Sequence, residues 1–191
     1  MAGITTSMAT SYKSDMFSAL HCFNAVITFT AVGVATQTLT SVSALTGLAV
    51  GMTLSGTNVA AGTKIADFLS ASSIFISKAT TGAPGTITAT ADTFNIALFK
   101  TSLTGTYDST TTNYTDMTGN SDQVASGGGY TTGGVAMVNV SPTTSSTTAY
   151  VNFSPDPSWT SATFSTTGAM IYNTSQRGPV ATRAVSVHDF G

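Results

Sequence analysis

Hydrophobic and polar positions alternate in short runs along most of this chain. Over residues 94–99, Phe94, Ile96 and Leu98 fall on one face of an extended strand, and Asn95 and Ala97 fall on the other. Residues 149–153 alternate in the same way, with Ala149, Val151 and Phe153 opposite Tyr150 and Asn152. Residues 135–140 are apolar on both faces, the pattern of a strand covered on both sides. Three further strands are predicted at 158–166, 169–172 and 184–190. The first of them carries Trp159, the single tryptophan and an expected core residue. Turn residues separate the runs at Gly133-Gly134, Ser141-Pro142, Pro155-Asp156-Pro157 and Gly178-Pro179. Strands recurring at roughly ten-residue spacing predict an antiparallel sandwich, jelly-roll-like in architecture.

The N-terminal half has two other textures. Residues 1–13 are small and polar and read as an extended arm. Residues 14–24 (SDMFSALHCFN) carry the helical signature. Ser14 is placed to cap it, Asp15 suits its positive end, and Phe17, Leu20 and His21 share a face. Residues 28–91 then break into short predicted strands at 48–54, 63–68, 73–77 and 86–90, a segment able to close on itself as a small β module. The resulting organisation is an arm at 1–13, a β-sandwich body formed by 14–27 with 92–191, and an inserted module at 28–91. Residues 101–126 read as a long loop with a short strand near Tyr114.

Composition strengthens the β reading and adds a functional one. All eight acidic residues are Asp, so the chain lacks the strong helix former Glu. Hydrophobic residues make up 41% of the chain and charged residues 7%, against about 25% charged in an ordinary soluble domain. Protein interfaces are depleted of charge at their centres, so this surface is expected to be covered in an assembly, with a homo-oligomer as one component. The net charge of −2 gives no basic footprint for nucleic acid. No apolar run reaches the roughly 18 residues of a membrane helix. The stretch 19–35, with Lys13 ahead of it, is too interrupted by His21, Asn24 and threonines to read as a signal peptide.

The order SDMFSALHCFN, DTFNIALF, GGYTTGG, SWTSATF, GAMIYN and a terminal AVSVHDFG resembles a family of small virion proteins of tailed bacteriophages. The likeness covers about 1–27 and 92–191. It implies a decoration (cement) role on the capsid exterior, with the major capsid protein as partner. Within 28–91, GMTLSGTNVAAGTKIADFLSASSIFISKAT resembles modules of phage fibres. The family supplies no catalytic residues. A receptor- or glycan-binding module of a tail fibre or neck appendage is the alternative, with Tyr107, Tyr114 and Tyr130 as stacking residues.

Candidate chemistry is sparse, and no catalytic, cofactor or metal residue is assigned. His21-Cys22 supplies two zinc-type ligands where a structural site needs about four. Asp116, Thr118, Asn120 and Asp122 set side-chain oxygens at every second position, as a calcium loop does. The glycine and bidentate glutamate of that loop are not at their places, which leaves open whether Asp116, Asn120 and Asp122 bind an ion. His188-Asp189 point to opposite faces of one strand, and the chain has no Gly-x-Ser-x-Gly elbow. The sequence is therefore expected to be non-enzymatic.

Overall fold

The structure, a computed structural model, describes residues 2–175 and 180–191. The elements run β1 (Gly3–Ile4), β2 (Ser7–Met8), α1 (Thr10–Phe17), β3 (Ile27–Thr30), β4 (Thr38–Leu39), β5 (Thr53–Gly56) and β6 (Thr63–Ser70). They continue with β7 (Ser73–Ile76), β8 (Thr86–Thr90), β9 (Phe94–Phe99), β10 (Thr106–Tyr107), α2 (Tyr114–Gly119) and β11 (Val135–Met137). The chain ends with β12 (Asn139–Ser145), β13 (Thr148–Phe153), β14 (Gly168–Asn173) and β15 (Ala184–Asp189). The fold is all-β, 40% strand and 8% helix, and divides into two compact units.

The first unit comprises Met1–His21, Thr93–Val138 and Phe153–Gly191. Its centre is an antiparallel sheet in the order β11-β9-β14-β15-β2. The register sets Ala169 against Leu98, Ile171 against Ile96 and Asn173 against Phe94, so the Phe94-Ile96-Leu98 parity defines one continuous face. Val124, Tyr130, Trp159 and Phe164 pack over Leu98 and Ala169 on that face. On the opposite parity Phe99 meets Tyr107, with ring centroids 4.4 Å apart, and Tyr172 stacks on Tyr114 at 4.2 Å and 6°. Gly134, at φ +77°, enters β11 so close to β9 that a Cβ there would strike the Ile96 carbonyl, so this position requires glycine.

The second unit comprises Cys22–Asp92 and Asn139–Asn152. Six strands pair in the order β3-β8-β5-β6-β7-β4. Val32 and Thr40 exchange two backbone hydrogen bonds of 2.8 Å just beyond β3 and β4, which joins the two outer strands and closes the sheet into a small barrel. The alternation Ile74/Ile76 and Ile87/Ala89 sends every second side chain inward, where Leu39, Met52, Leu54 and Ile65 meet them. Burying each such side chain contributes about 1.5–3 kcal/mol, enough in sum to make this unit a core of its own. Its neck is pinned: Cys22 N–H donates to the Asp92 carboxylate at 3.0 Å, and Asp92 N–H donates to the Cys22 carbonyl at 3.1 Å. The hairpin of β12 and β13 forms a separate two-stranded sheet, and none of its residues is buried.

Several expectations are corrected. The helix occupies Thr10–Phe17 rather than 14–24. Ser14 donates its hydroxyl to the Ser11 carbonyl instead of capping. The helix stops because Ala19 turns left-handed at φ 52° and Leu20 N–H closes on the Asp15 carbonyl at 3.0 Å. Phe17 is consequently 95% exposed while His21 is buried, so the face expected to hold both does not form. Residues 1–13 are no free arm, since β1 pairs with β10, β2 pairs with β15 and the helix begins at Thr10. Residues 158–166 form no strand, and Trp159 is half-buried in a turn against Tyr130 and Phe164. The short strand expected near Tyr114 is the helix α2. The unit boundary falls at Cys22 and Asp92, and Asn139–Asn152 groups with the barrel rather than with the sheet. The predicted Gly178-Pro179 turn lies outside the described residues.

Candidate functional site

The densest polar arrangement in the first unit gathers around Asp122. Residues 122–124 run alongside the end of β9: Lys100 N–H donates to the Asp122 carbonyl and Val124 N–H to the Leu98 carbonyl, both at 2.9 Å. This fixes the backbone and turns the fully buried Asp122 carboxylate inward. There it accepts from Thr104 N–H at 3.0 Å, Gly105 N–H at 2.8 Å and the Tyr107 hydroxyl at 2.7 Å, with Lys100 Nζ at 3.2 Å. Burial alone would raise this carboxyl. The donors from Gly105, Tyr107 and Thr104 outweigh burial and hold it at about 2. Burial, reinforced by Asp122, pushes the Tyr107 hydroxyl well above its ordinary value.

Asp116, in the first turn of α2, and Asn120, the residue that follows its last, have different tasks. Asn113 and Asp116 close a capping box on α2: the Asn113 side chain accepts from Thr115 N–H at 3.0 Å, and Asp116 Oδ2 accepts from Asn113 N–H at 3.0 Å. Asp116 Oδ2 also accepts from Thr112 N–H at 2.8 Å. Asn120 donates to the Tyr107 hydroxyl at 3.2 Å and to the Asp116 carbonyl at 3.0 Å. The Asp116, Asn120 and Asp122 side chains, three of the four positions read from sequence as a calcium-type loop, thus serve different tasks: Asp116 caps α2, Asn120 donates through its amide, and Asp122 accepts from the 104–107 segment. Among the described residues, no group of three His, Cys, Asp or Glu side chains is arranged to hold a metal ion. Between Thr106–Tyr107 and α2 lies an open cleft of about 470 Å³, lined in part by Thr110, Thr112, Thr115, Asp116, Gly119 and Asn120. Sequence reasoning missed this cleft, because its walls come from a segment read as loop.

The other residues singled out in the sequence are placed as follows. His21 is buried between Tyr12 and Phe94 (centroids 5.1 and 6.2 Å), with Nδ1 3.0 Å from Asn173 Nδ2 and Nε2 3.6 Å from Asp15 Oδ2. Asp15 is also bound by Arg183 at 2.7 Å. The Cys22 thiol donates to Asn24 Oδ1 at 3.3 Å. His188 Nε2 lies 2.9 Å from the Ser186 hydroxyl on the same face of β15, and burial lowers its pKa. Asp189 has the opposite parity, and its carboxylate accepts from Gly191 N–H at 3.2 Å. The proposed stacking tyrosines are corrected: Tyr107 and Tyr130 are buried, and Tyr114 is engaged face to face with Tyr172. Tyr114 donates to Gln123 at 2.6 Å, and Gln123 donates to the Tyr130 hydroxyl at 2.8 Å, so these rings brace the core.

No family model, no curated protein and no solved structure matches this chain.

Proposed function

We propose that this chain is a non-enzymatic structural protein of a bacteriophage virion, which decorates the capsid exterior as a homo-oligomer in contact with the major capsid protein. The observation that carries the reading is a charge-poor surface with large apolar side chains standing in solvent. Phe17 is 95% exposed, Val34 64% and Phe190 57%. From Gln123 to Pro155 the sequence contains no Asp, Glu, Lys, Arg or His. Within that neutral stretch sits the β12–β13 hairpin, a two-stranded sheet with no buried residue of its own. Two strands alone are marginal in water, and an assembly contact supplies the cover that such a hairpin otherwise lacks. The order of motifs, which resembles that of small tailed-phage virion proteins, supports the same class.

A contact built from apolar and hydroxyl groups depends little on ionic strength. Sedimentation with empty capsids of the parent phage is expected to pellet the protein to a similar extent in low and high salt. Complete release in moderate salt, or a strictly monomeric protein that never pellets, would contradict the proposal.

A further inference from the structure

We propose that the threonine-lined cleft beside α2 binds the guanidinium or ammonium group of an arginine or lysine side chain presented by a partner protein. The hydrogen-bond donors of the cleft wall carry this assignment, which does not depend on the virion reading. Three hydroxyls of the wall direct their hydrogens inward: Thr110 to Asp108 Oδ1 at 2.7 Å, Thr112 to Asp116 Oδ2 at 3.3 Å and Thr115 to Asn113 Oδ1 at 3.1 Å. Both hydrogens of the Asn120 amide are engaged by Tyr107 and the Asp116 carbonyl. The backbone donors around them are engaged too. Thr110 N–H goes to Asp108 Oδ1, Thr112 and Asn113 N–H go to Asp116 Oδ2, and Thr115 N–H goes to Asn113 Oδ1.

Oxygen lone pairs are what the cleft has left to offer: those of the three hydroxyls, Asn120 Oδ1 and Asp116 Oδ1. Asp116 forms no ion pair with any described residue, whereas Asp122 behind it already has Lys100. A ligand that must accept hydrogen bonds, such as a phosphate or a carboxylate, finds these donors taken, with only the buried Thr111 hydroxyl, which accepts from Asp108 N–H, keeping its hydrogen, and it is repelled by Asp116. A ligand that only donates, and carries positive charge, matches these five sets of lone pairs. Guanidinium fits best, because its five N–H groups in one plane can serve a carboxylate and several neutral oxygens together.

Two substitutions separate binding from folding. Asp116→Asn removes the charge while keeping an oxygen for the cap. Gly119→Phe fills the cleft from a position where a Cβ meets nothing within 4 Å, so it leaves the hydrogen bonds untouched. The probe is N-acetyl-arginine methylamide, titrated at low salt into the full chain while backbone amide shifts are followed by NMR. Its neutral control is the citrulline analogue of the same shape. The expected result is saturable shifts at Thr112, Thr115, Gly119 and Asn120 with the arginine probe, and weak shifts with citrulline. Affinity should fall about tenfold in Asp116→Asn, the equivalent of about 1.4 kcal/mol, and disappear in Gly119→Phe. Equal response to citrulline, saturation located elsewhere, or full affinity in a folded Gly119→Phe would each overturn the proposal.

Discussion

Replacing Asp122 with alanine is expected to destabilise the protein by about 3–5 kcal/mol, the largest effect of any single polar substitution in the first unit. The change removes the acceptor for Thr104 N–H, Gly105 N–H and the Tyr107 hydroxyl, and it leaves Lys100 without its counter-ion. Each orphaned buried donor costs about 1–3 kcal/mol, which sets the scale. For a chain of this size the melting temperature should drop by about 6–20 °C. The pH dependence follows from the low carboxyl value of about 2, below the ordinary value near 3.9. Folding favours the ionised form, so this contribution is fully present above pH about 4 and is lost as pH falls through about 2. Thermal melts across the acid range should therefore show a stability loss in the parent chain that is smaller in Asp122→Ala. An alanine variant that melts like the parent would show that this hydrogen-bond set does not hold the unit together.

Excising the barrel should leave the other unit folded. Cys22 and Asp92 are already hydrogen-bonded to one another in both directions, so a short Gly/Ser linker spans the gap left by removing residues 23–91. The five-stranded sheet draws no strand from 23–91, and its own core residues (Leu98, Val124, Tyr130 and Ala169) remain. The shortened chain should keep a β-type circular dichroism spectrum and a cooperative melt. Conversely, residues 22–92 expressed alone should fold around Leu39, Ile65, Ile76 and Ile87. A shortened chain with no cooperative transition would mean that the two cores are one thermodynamic unit.

The parts legible in the sequence were those where one face of a strand is buried and the next residue is not. Ile74 and Ile76 on β7 and Ile87 and Ala89 on β8 alternate with less buried neighbours inside the predicted strands, and the Phe94-Ile96-Leu98 parity of β9 holds as read, although Ala97 and Phe99 on its other face are buried too. The same rule misled at 158–166, where Trp159 and Phe164 cover Tyr130 from a turn rather than from a strand. Ser161, with a positive φ of 55°, breaks the extended path there. The two-residue strands β1 and β2 are too short to show any period, so their pairing to β10 and β15 left no mark on the sequence. For α2 a signal existed: Asn113 followed three residues later by Asp116 is a capping-box spacing, hidden by the Thr-rich texture around it. That helix is also why Asp116, Asn120 and Asp122 do not converge. One helical turn brings Asn120 back onto the Asp116 carbonyl, while Asp122 is carried behind to Gly105. The cleft was illegible because it depends on which donors are already engaged, and spacing does not encode that.

The central claim, a decorating structural role, is tested most directly by locating the chain on purified virions of the parent phage. Labelled-particle imaging should be combined with quantification of this chain against the major capsid protein. The account predicts label over the whole shell and a copy number in proportion to the capsid subunits. Absence from virions, or a few copies confined to one vertex or to the tail, would contradict it.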